Sequence, residues 1–213
     1  MKLIILIILI IFSFIINKKK NKFEYFTNLP YIKNTDYIFI HIPKNGGTSF
    51  CKKYLNFQVG HKKASTYNKN ILKKSLAIVR NPYSRLISCY QYFKMKNNFW
   101  YKIDGVENKY HRYCQTHSFH EFVSDLYNKK IDFDIHMTPQ FKFLEKDGKI
   151  LTKVIKLEKI EEDFFKIFKK KINMPNINTS NKINIKLSKQ DKKMIYNIYK
   201  KDFELFNYSK DFF

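Results

Sequence analysis

The sequence predicts a single α/β domain, with a central parallel β-sheet flanked by helices on both faces and an N-terminal hydrophobic anchor. Short runs of apolar, β-branched residues alternate with segments of helical periodicity, an order typical of parallel sheets. The first two of these runs lead directly into a turn and the start of a helix. The 213 residues, 44% of them hydrophobic and 17% aromatic, are enough for one core and leave residues over for an anchor.

The N-terminal segment, residues 1–17, is predicted to be an uncleaved signal anchor or transmembrane segment. Residues 3–16 are apolar except for Ser13, so a helix here would be apolar on every face, unlike a core helix of a soluble domain. The run is shorter than the roughly 20 residues of a typical spanning helix. A cleaved signal peptide is the alternative, but no small-residue cleavage site follows.

The charges beside this segment leave its orientation open. Four lysines lie between residues 17 and 22, whereas Lys2 alone precedes the apolar run. The positive-inside rule would therefore place the following domain in the cytosol. Residues 18–35, which carry these lysines, are predicted to be a basic stalk, and residues 36–213 the folded domain.

The first two strands of the predicted sheet each lead into a helix. Residues 37–42 and 76–80 are apolar runs that fit buried parallel strands. A glycine-containing turn follows the first run, and a helix is expected from Thr48. After the second run Asn81 is a favourable cap and Pro82 suits the first helical position.

The second half of the chain continues the alternation. A short helix is expected over residues 119–126, a third strand over 154–157 and a helix over 161–170. Ser188 and Asp191 have the spacing of a capping box at the start of a last helix.

The net charge of +23, nearly all of it from lysine, would attract polyanions such as nucleic acid, anionic lipid or acidic polysaccharide. Codon drift in an A+T-rich genome would also produce this over-use of Lys, Asn, Ile, Phe and Tyr. Charge alone therefore does not identify a partner, and no specific nucleic acid is expected.

The cysteines do not define a metal site. Cys51, Cys89 and Cys114 are too few for a disulfide framework and none lies in a C-x-x-C pair. No Cys/His spacing indicates zinc, and we expect no metal. One disulfide with one free thiol remains open.

Residues 43–49, PKNGGTS, form the most informative motif, because they place a glycine turn between a strand and a helix. Backbone amides at such a helix start can cradle a phosphate, and glycines allow the backbone to approach it. Thr48 and Ser49 offer hydroxyl donors, and Lys44 offers a charge. This is not a Walker A loop, because the lysine precedes the glycines. An ordinary strand-to-helix turn is the alternative.

The second motif is VRNPYSRLIS, in which Arg80 ends a predicted strand and Ser88 lies about two helical turns later. Ligands of open α/β sheets bind at the carboxyl ends of strands. The chain has only three arginines, and a guanidinium suits forked donation to an anion. A salt-bridged Arg80 and a Ser88 bonded to its own helix are the alternatives.

Together the two motifs resemble the 5′-phosphosulfate loop and the 3′-phosphate motif of the sulfotransferase superfamily, closest to its membrane-bound, Golgi-type carbohydrate enzymes. Residues 136–140, 157–164 and 199–208 resemble further blocks of these enzymes in the same order. The resemblance covers about residues 36–208.

The resemblance implies a P-loop-like sheet and the sulfuryl donor 3′-phosphoadenosine 5′-phosphosulfate (PAPS). The residues implied to bind the donor are Lys44, Asn45, Gly46, Gly47, Thr48, Ser49, Arg80 and Ser88. Lys44 would also stabilise the leaving group of an in-line displacement that releases 3′,5′-ADP and needs no metal. A single-pass anchor with the catalytic domain in the Golgi lumen is implied as well.

His61 is the predicted acceptor base, because residues 58–64, QVGHKKA, resemble a His-x-His-like element of related enzymes. Here Lys63 stands at the second histidine position, so His61 either acts as the base or orients the acceptor; a solvated loop histidine is the alternative. His41 is expected to pack in its strand and His136 to face the acceptor. Surface positions are predicted for His111, His117 and His120.

The expected reaction is sulfuryl transfer to a hydroxyl. The resemblance implies a carbohydrate acceptor, and the basic surface would suit an acidic glycan. Tyrosine and small-molecule acceptors stay open. Two other functions are kept as alternatives: a membrane-tethered, basic polyanion-binding protein with a degenerate nucleotide fold, and a small-molecule kinase.

Overall fold

The computed structural model describes residues 29–55, 57–95, 108–174 and 184–211. Its strands are β1 (Ile38–Ile40), β2 (Ser75–Val79), β3 (Glu145–Lys146), β4 (Lys149–Ile150) and β5 (Lys153–Lys156). β1, β2 and β5 form a parallel sheet in the order β1-β2-β5, with Phe39 beside Leu76 and Ala77 beside Val154. The predicted parallel α/β architecture is confirmed for these residues.

Eight helices and two 3₁₀ turns are described around the sheet. The helices are α1 (Gly47–Tyr54), α2 (Lys69–Lys73), α3 (Pro82–Lys94), α4 (Lys109–Thr116), α5 (Phe119–Tyr127), α6 (Phe141–Leu144), α7 (Ile160–Phe168) and α8 (Lys189–Leu205). The 3₁₀ turns cover Ala64–Thr66 and Leu157–Lys159.

The predicted helix starts are confirmed by their caps. The Asn81 side chain accepts a hydrogen bond from the Tyr83 amide at 3.0 Å, with Pro82 at the first position of α3. Ser188 and Asp191 form both bonds of the expected capping box at the start of α8. Local side-chain chemistry therefore sets where these helices begin.

Four elements, α2, α4, α6 and the β3–β4 hairpin, were not predicted from the sequence pattern. The hairpin strands have two residues each, too few to show an alternation. The tight turn between them contains Asp147 and Gly148, both at positive φ. α4 (KYHRYCQT) lacks an aliphatic stripe, because its buried face consists of Tyr110, His111 and Cys114.

Both faces of the sheet are covered by helices, as predicted. Leu76 and Ile78 pack with residues of α1 and α7 on one face. Ala77 and Val79 pack on the other face with residues of α2 and α6 and with Phe206. This two-sided burial explains why β2 is a continuous apolar run.

A separate aromatic cluster lies among α3, α4, α5 and α8. Tyr90, Phe93, Phe122 and Tyr199 are buried in it. The cluster holds α3 in place, and α3 carries the second predicted motif. All three cysteines are free and buried.

The folded chain begins before residue 36, where the sequence placed the end of a stalk. Ile32 is 1% exposed and packs in the core, and the Phe39 amide donates to the Pro30 carbonyl at 2.8 Å. An apolar residue buried within the supposed stalk accounts for the difference. The predicted anchor, residues 1–17, lies outside the described residues, and within those the structure has no helix long and apolar enough to cross a membrane.

Candidate active site at the carboxyl edge of the sheet

The two sequence motifs meet at the carboxyl ends of β1 and β2. The loop containing Lys44 follows β1, and Arg80 follows β2 directly. The Arg80 guanidinium donates from Nη1 to the Lys44 carbonyl at 3.2 Å. Segments that are 36 residues apart in sequence therefore form one surface, as expected for neighbouring parallel strands.

The turn after β1 needs glycine at two positions for different reasons. Gly46 has φ +74°, a left-handed conformation that glycine adopts without strain. At Gly47 a Cβ atom would lie only 2.1 Å from ring atoms of His41. The backbone at Gly47 therefore packs directly on the His41 ring.

The start of α1 presents unpaired backbone amides. The first helical hydrogen bond runs from the Phe50 amide to the Gly46 carbonyl at 3.1 Å. Within the described residues the amides of residues 46–49 donate to no acceptor, and Gly46 provides no side-chain cap. The helix dipole adds partial positive charge here. This is the geometry of an anion site.

Three cations whose charges act on one another lie at this edge of the sheet, and the charge of Glu158 also acts on Arg80. Lys44, Arg80 and Arg85 form no ion pair with any carboxylate in the described part of the chain. The Lys44 ammonium lies 3.9 Å from the centre of the Tyr92 ring, a cation–π contact. Burial, reinforced by the two guanidiniums, lowers the pKa of Lys44 to about 8. Unpaired, partly buried positive charge is costly unless an anion binds.

The Arg80 side chain contacts a serine in the first turn of α3. Its Nε donates to Ser84 Oγ at 3.0 Å, and burial lowers its pKa. Ser88 lies one turn further on, half-buried. Neither predicted alternative is found among the described residues, because Arg80 has no salt bridge there and no hydrogen bond joins Ser88 to its helix. Ser84 was missed, although its spacing of four from Ser88 was a usable signal.

Arg85, also missed, is buried and fixes the lysine loop from below. Its Nε donates to the Pro43 carbonyl at 3.1 Å and its Nη2 to the His136 carbonyl at 2.9 Å. It thereby connects the loop to residues 136–140.

The predicted base, His61, lies beside His41, with 4.4 Å between ring centres. Its Nδ1 is 3.2 Å from the His41 carbonyl, and a carbonyl only accepts, so Nδ1 carries the proton. In the neutral ring Nε2 is then free to accept a proton. Burial, with the charges of His136 and Arg85, lowers the pKa of His61.

The burial of the other histidines agrees only in part with the prediction. His41 is buried as expected, with its Nδ1 2.7 Å from the Val59 carbonyl and its pKa lowered by burial to about 4. His136 is buried, 6.0 Å from the His61 ring, and its Nδ1 lies 2.5 Å from Asp134 Oδ1.

The surface prediction for His111 is wrong: it is 4% exposed, and its Nδ1 bonds to the Phe93 carbonyl. His120 is exposed as predicted.

Asn45 lies in the predicted donor loop, but its side chain faces the interior. It is 1% exposed, and its Nδ2 donates to the Ile78 carbonyl at 2.7 Å and to Gln140 Oε1 at 2.8 Å. The Asn45 amide side chain thus holds the loop on the sheet.

Comparison with known proteins gives one match. The family model of the sulfotransferase family matches residues 13–209, which is most of the chain. No curated protein and no solved structure matches it.

Proposed function

The chain belongs to the sulfotransferase family, a family of transferases, and we propose that it moves a sulfuryl group from PAPS to a hydroxyl, in the first place on a carbohydrate. One observation carries the choice of donor. The loop that carries Lys44 leads directly into four unpaired helix-start amides, and the charges of Arg80 and Arg85 act on Lys44. None of these three cations forms a salt bridge with a carboxylate among the described residues. Such a site is suited to a ligand with more than one anionic group.

Two parts of this surface would hold the two phosphates. The amides of residues 46–49, with the Thr48 and Ser49 hydroxyls, would bind the 5′-phosphate next to Lys44. Arg80 and Ser88, with Ser84, would bind the 3′-phosphate on the first turns of α3. The contact between Arg80 and the Lys44 carbonyl holds these parts side by side, which supports a single ligand spanning both.

The chemistry is an in-line displacement at sulfur. The bond between sulfur and the bridging phosphate oxygen breaks, a bond from sulfur to the acceptor oxygen forms, and 3′,5′-ADP leaves. His61 takes the acceptor proton at Nε2, because its Nδ1 is bonded to the His41 carbonyl. Lys44 stabilises the negative charge that develops on the leaving oxygen.

The acceptor and the location belong to the same proposal. A carbohydrate hydroxyl, on an acidic glycan, is supported by the resemblance to carbohydrate sulfotransferases and by the net charge of +23. We further propose that residues 1–17 anchor the chain in a membrane of the secretory pathway, with the catalytic domain in the Golgi lumen. The apolar run at residues 3–16 supports the anchor.

Calorimetric binding of 3′,5′-ADP, 5′-AMP and ATP to the full chain tests the donor. We expect preferential binding of 3′,5′-ADP, and Arg80→Ala should reduce that preference about tenfold or more, because it removes a charge-assisted contact to the 3′-phosphate. Arg112→Ala is the matched control, because Arg112 lies exposed on α4, and it should leave the preference intact. Equal binding of the three nucleotides would contradict the proposal and favour a general polyanion-binding protein.

A further inference from the structure

Gln140 connects the two proposed phosphate-binding segments through one buried side chain. It is 0% exposed, and its Oε1 accepts from Asn45 Nδ2 at 2.8 Å and from the Arg80 amide at 2.9 Å. Its Nε2 donates to the Arg80 carbonyl at 2.8 Å. One side-chain amide thus binds both backbone polar groups of Arg80 and also the loop after β1.

Gln140 is itself held by a second buried residue. The Asp202 carboxylate, on α8, accepts two backbone hydrogen bonds. One oxygen accepts from the backbone N–H of Gln140 at 2.7 Å, and the other accepts from the backbone N–H of Phe141 at 2.8 Å. Asp202 is fully buried. A series of hydrogen bonds inside the protein therefore connects α8, through Gln140, to both phosphate-binding segments.

The chemistry of this position requires an amide. Its oxygen receives two donors while its nitrogen supplies one, a combination that neither a carboxylate nor an apolar side chain offers. The three side-chain hydrogen bonds of Gln140 restrain its partners inside the protein, although Asn45 Oδ1 has no partner among the described residues. The distance between the amides of residues 46–49 and the Arg80 guanidinium is thereby set by the interior of the protein.

We propose that Gln140 is a positioning residue that sets the spacing between the 5′- and 3′-phosphate elements, and so determines the preference for a nucleotide carrying both phosphates. The inference rests on the proposed function. Gln140 does not touch the donor; it acts through Asn45 and the backbone of Arg80. A ligand that spans two sites gains from both only when their spacing is correct.

The test compares the affinities of the full chain and of Gln140→Met for 3′,5′-ADP and 5′-AMP by calorimetry. Methionine has a similar length but makes none of the three hydrogen bonds. We expect 3′,5′-ADP to bind about tenfold more weakly, a change of about 1.4 kcal/mol, while 5′-AMP changes by less than about threefold. The affinity ratio of the two nucleotides is the readout, because general destabilisation would not alter it in a folded protein.

Ser75→Ala is the matched control. Ser75 is buried at the other end of β2, where its Oγ bonds to Thr152 Oγ1 at 2.9 Å and to the Leu72 carbonyl at 2.6 Å. It should lower the melting temperature without changing the affinity ratio. An unchanged ratio in folded Gln140→Met, or an equal fall in Ser75→Ala, overturns the inference.

If Gln140→Met does not fold, a second variant tests the same inference. Asp202→Asn keeps the shape and one acceptor oxygen, and should lower the ratio in the same direction by a smaller factor; an unchanged ratio in this variant overturns the inference. If the wild-type chain shows no preference for 3′,5′-ADP, the proposed function fails and the inference with it. If the wild-type chain shows the preference and the variants retain it, the inference alone fails.

Discussion

The two ends of β2 differ in whether their polar and charged side chains have partners. At the amino end the Ser75 hydroxyl is bonded to Thr152 and to the Leu72 carbonyl, and the preceding Lys74 is paired with Asp36. At the carboxyl end neither Arg80 nor the neighbouring Lys44 forms a salt bridge with a carboxylate among the described residues, and the charge of Glu158 acts on Arg80 without such a contact.

This difference separates a stabilising end of the sheet from a binding end. Paired polar groups contribute to folding, whereas crowded, partly desolvated cations oppose it in the free protein. An anionic ligand that binds only the folded state would recover that cost. Three predictions, given in order of decreasing effect, test the contrast.

Lys44→Ala should lower sulfuryl transfer by about 10²-fold or more, because the charge that stabilises the leaving oxygen is lost. The melting temperature of the free protein should stay the same or rise, since burial already disfavours this charge. Turnover with labelled donor and calorimetric unfolding measure the two effects.

Lys74→Ala, at the other end of β2, is the control for Lys44→Ala. It removes an exposed ion pair with Asp36 and should leave transfer unchanged. Turnover at the wild-type rate in Lys44→Ala would remove the catalytic role assigned to that lysine.

Gly47→Ala should destabilise the fold by about 1–3 kcal/mol, as overpacking does, because the new methyl group would meet the His41 ring at 2.1 Å. Denaturant unfolding measures the loss. Gly60→Ala is the control, since a Cβ atom there meets nothing within 4 Å.

The double variant His41→Ala with Gly47→Ala should recover part of the loss, because the smaller side chain leaves room. If the two single losses simply add, the contact between the His41 ring and the Gly47 backbone is not what requires glycine.

The pH profile of kcat/KM for the donor should have two limbs. The pKa of Lys44 is lowered from 10.5 to about 8, so the required ammonium is lost as pH rises through about 8 and kcat/KM falls. His61 must be neutral, and its lowered pKa places the acid limb below its ordinary value of 6.5. The loss on the alkaline side approaches about tenfold per pH unit.

Lys44→Arg, which keeps its charge, separates the two limbs of the profile. It should abolish the alkaline limb whatever its absolute rate. An alkaline limb that persists in Lys44→Arg would assign that limb to another group.

Much of the site could be predicted because it depends on local chemistry. Asn81 and Pro82 start a helix wherever the chain allows, and glycines 46 and 47 mark a turn after an apolar run. These features depend on residues that are neighbours in sequence, so the amino-acid sequence is enough to recognise them. Even so, an aromatic helix such as α4 was missed, because His111 is buried by distant partners rather than by its own pattern.

The alternation of strands and helices, the helix caps and the two motifs that resemble a nucleotide site can be recognised from the amino-acid sequence alone. The folded structure was needed to show that Arg80 contacts the Lys44 loop, that Asn45 faces inward and that Gln140 joins both segments. Periodicity and capping act over a few residues, whereas the sequence separation between the residues in these contacts is between 36 and 95. Their formation depends on how the strands are ordered and how the helices pack on them.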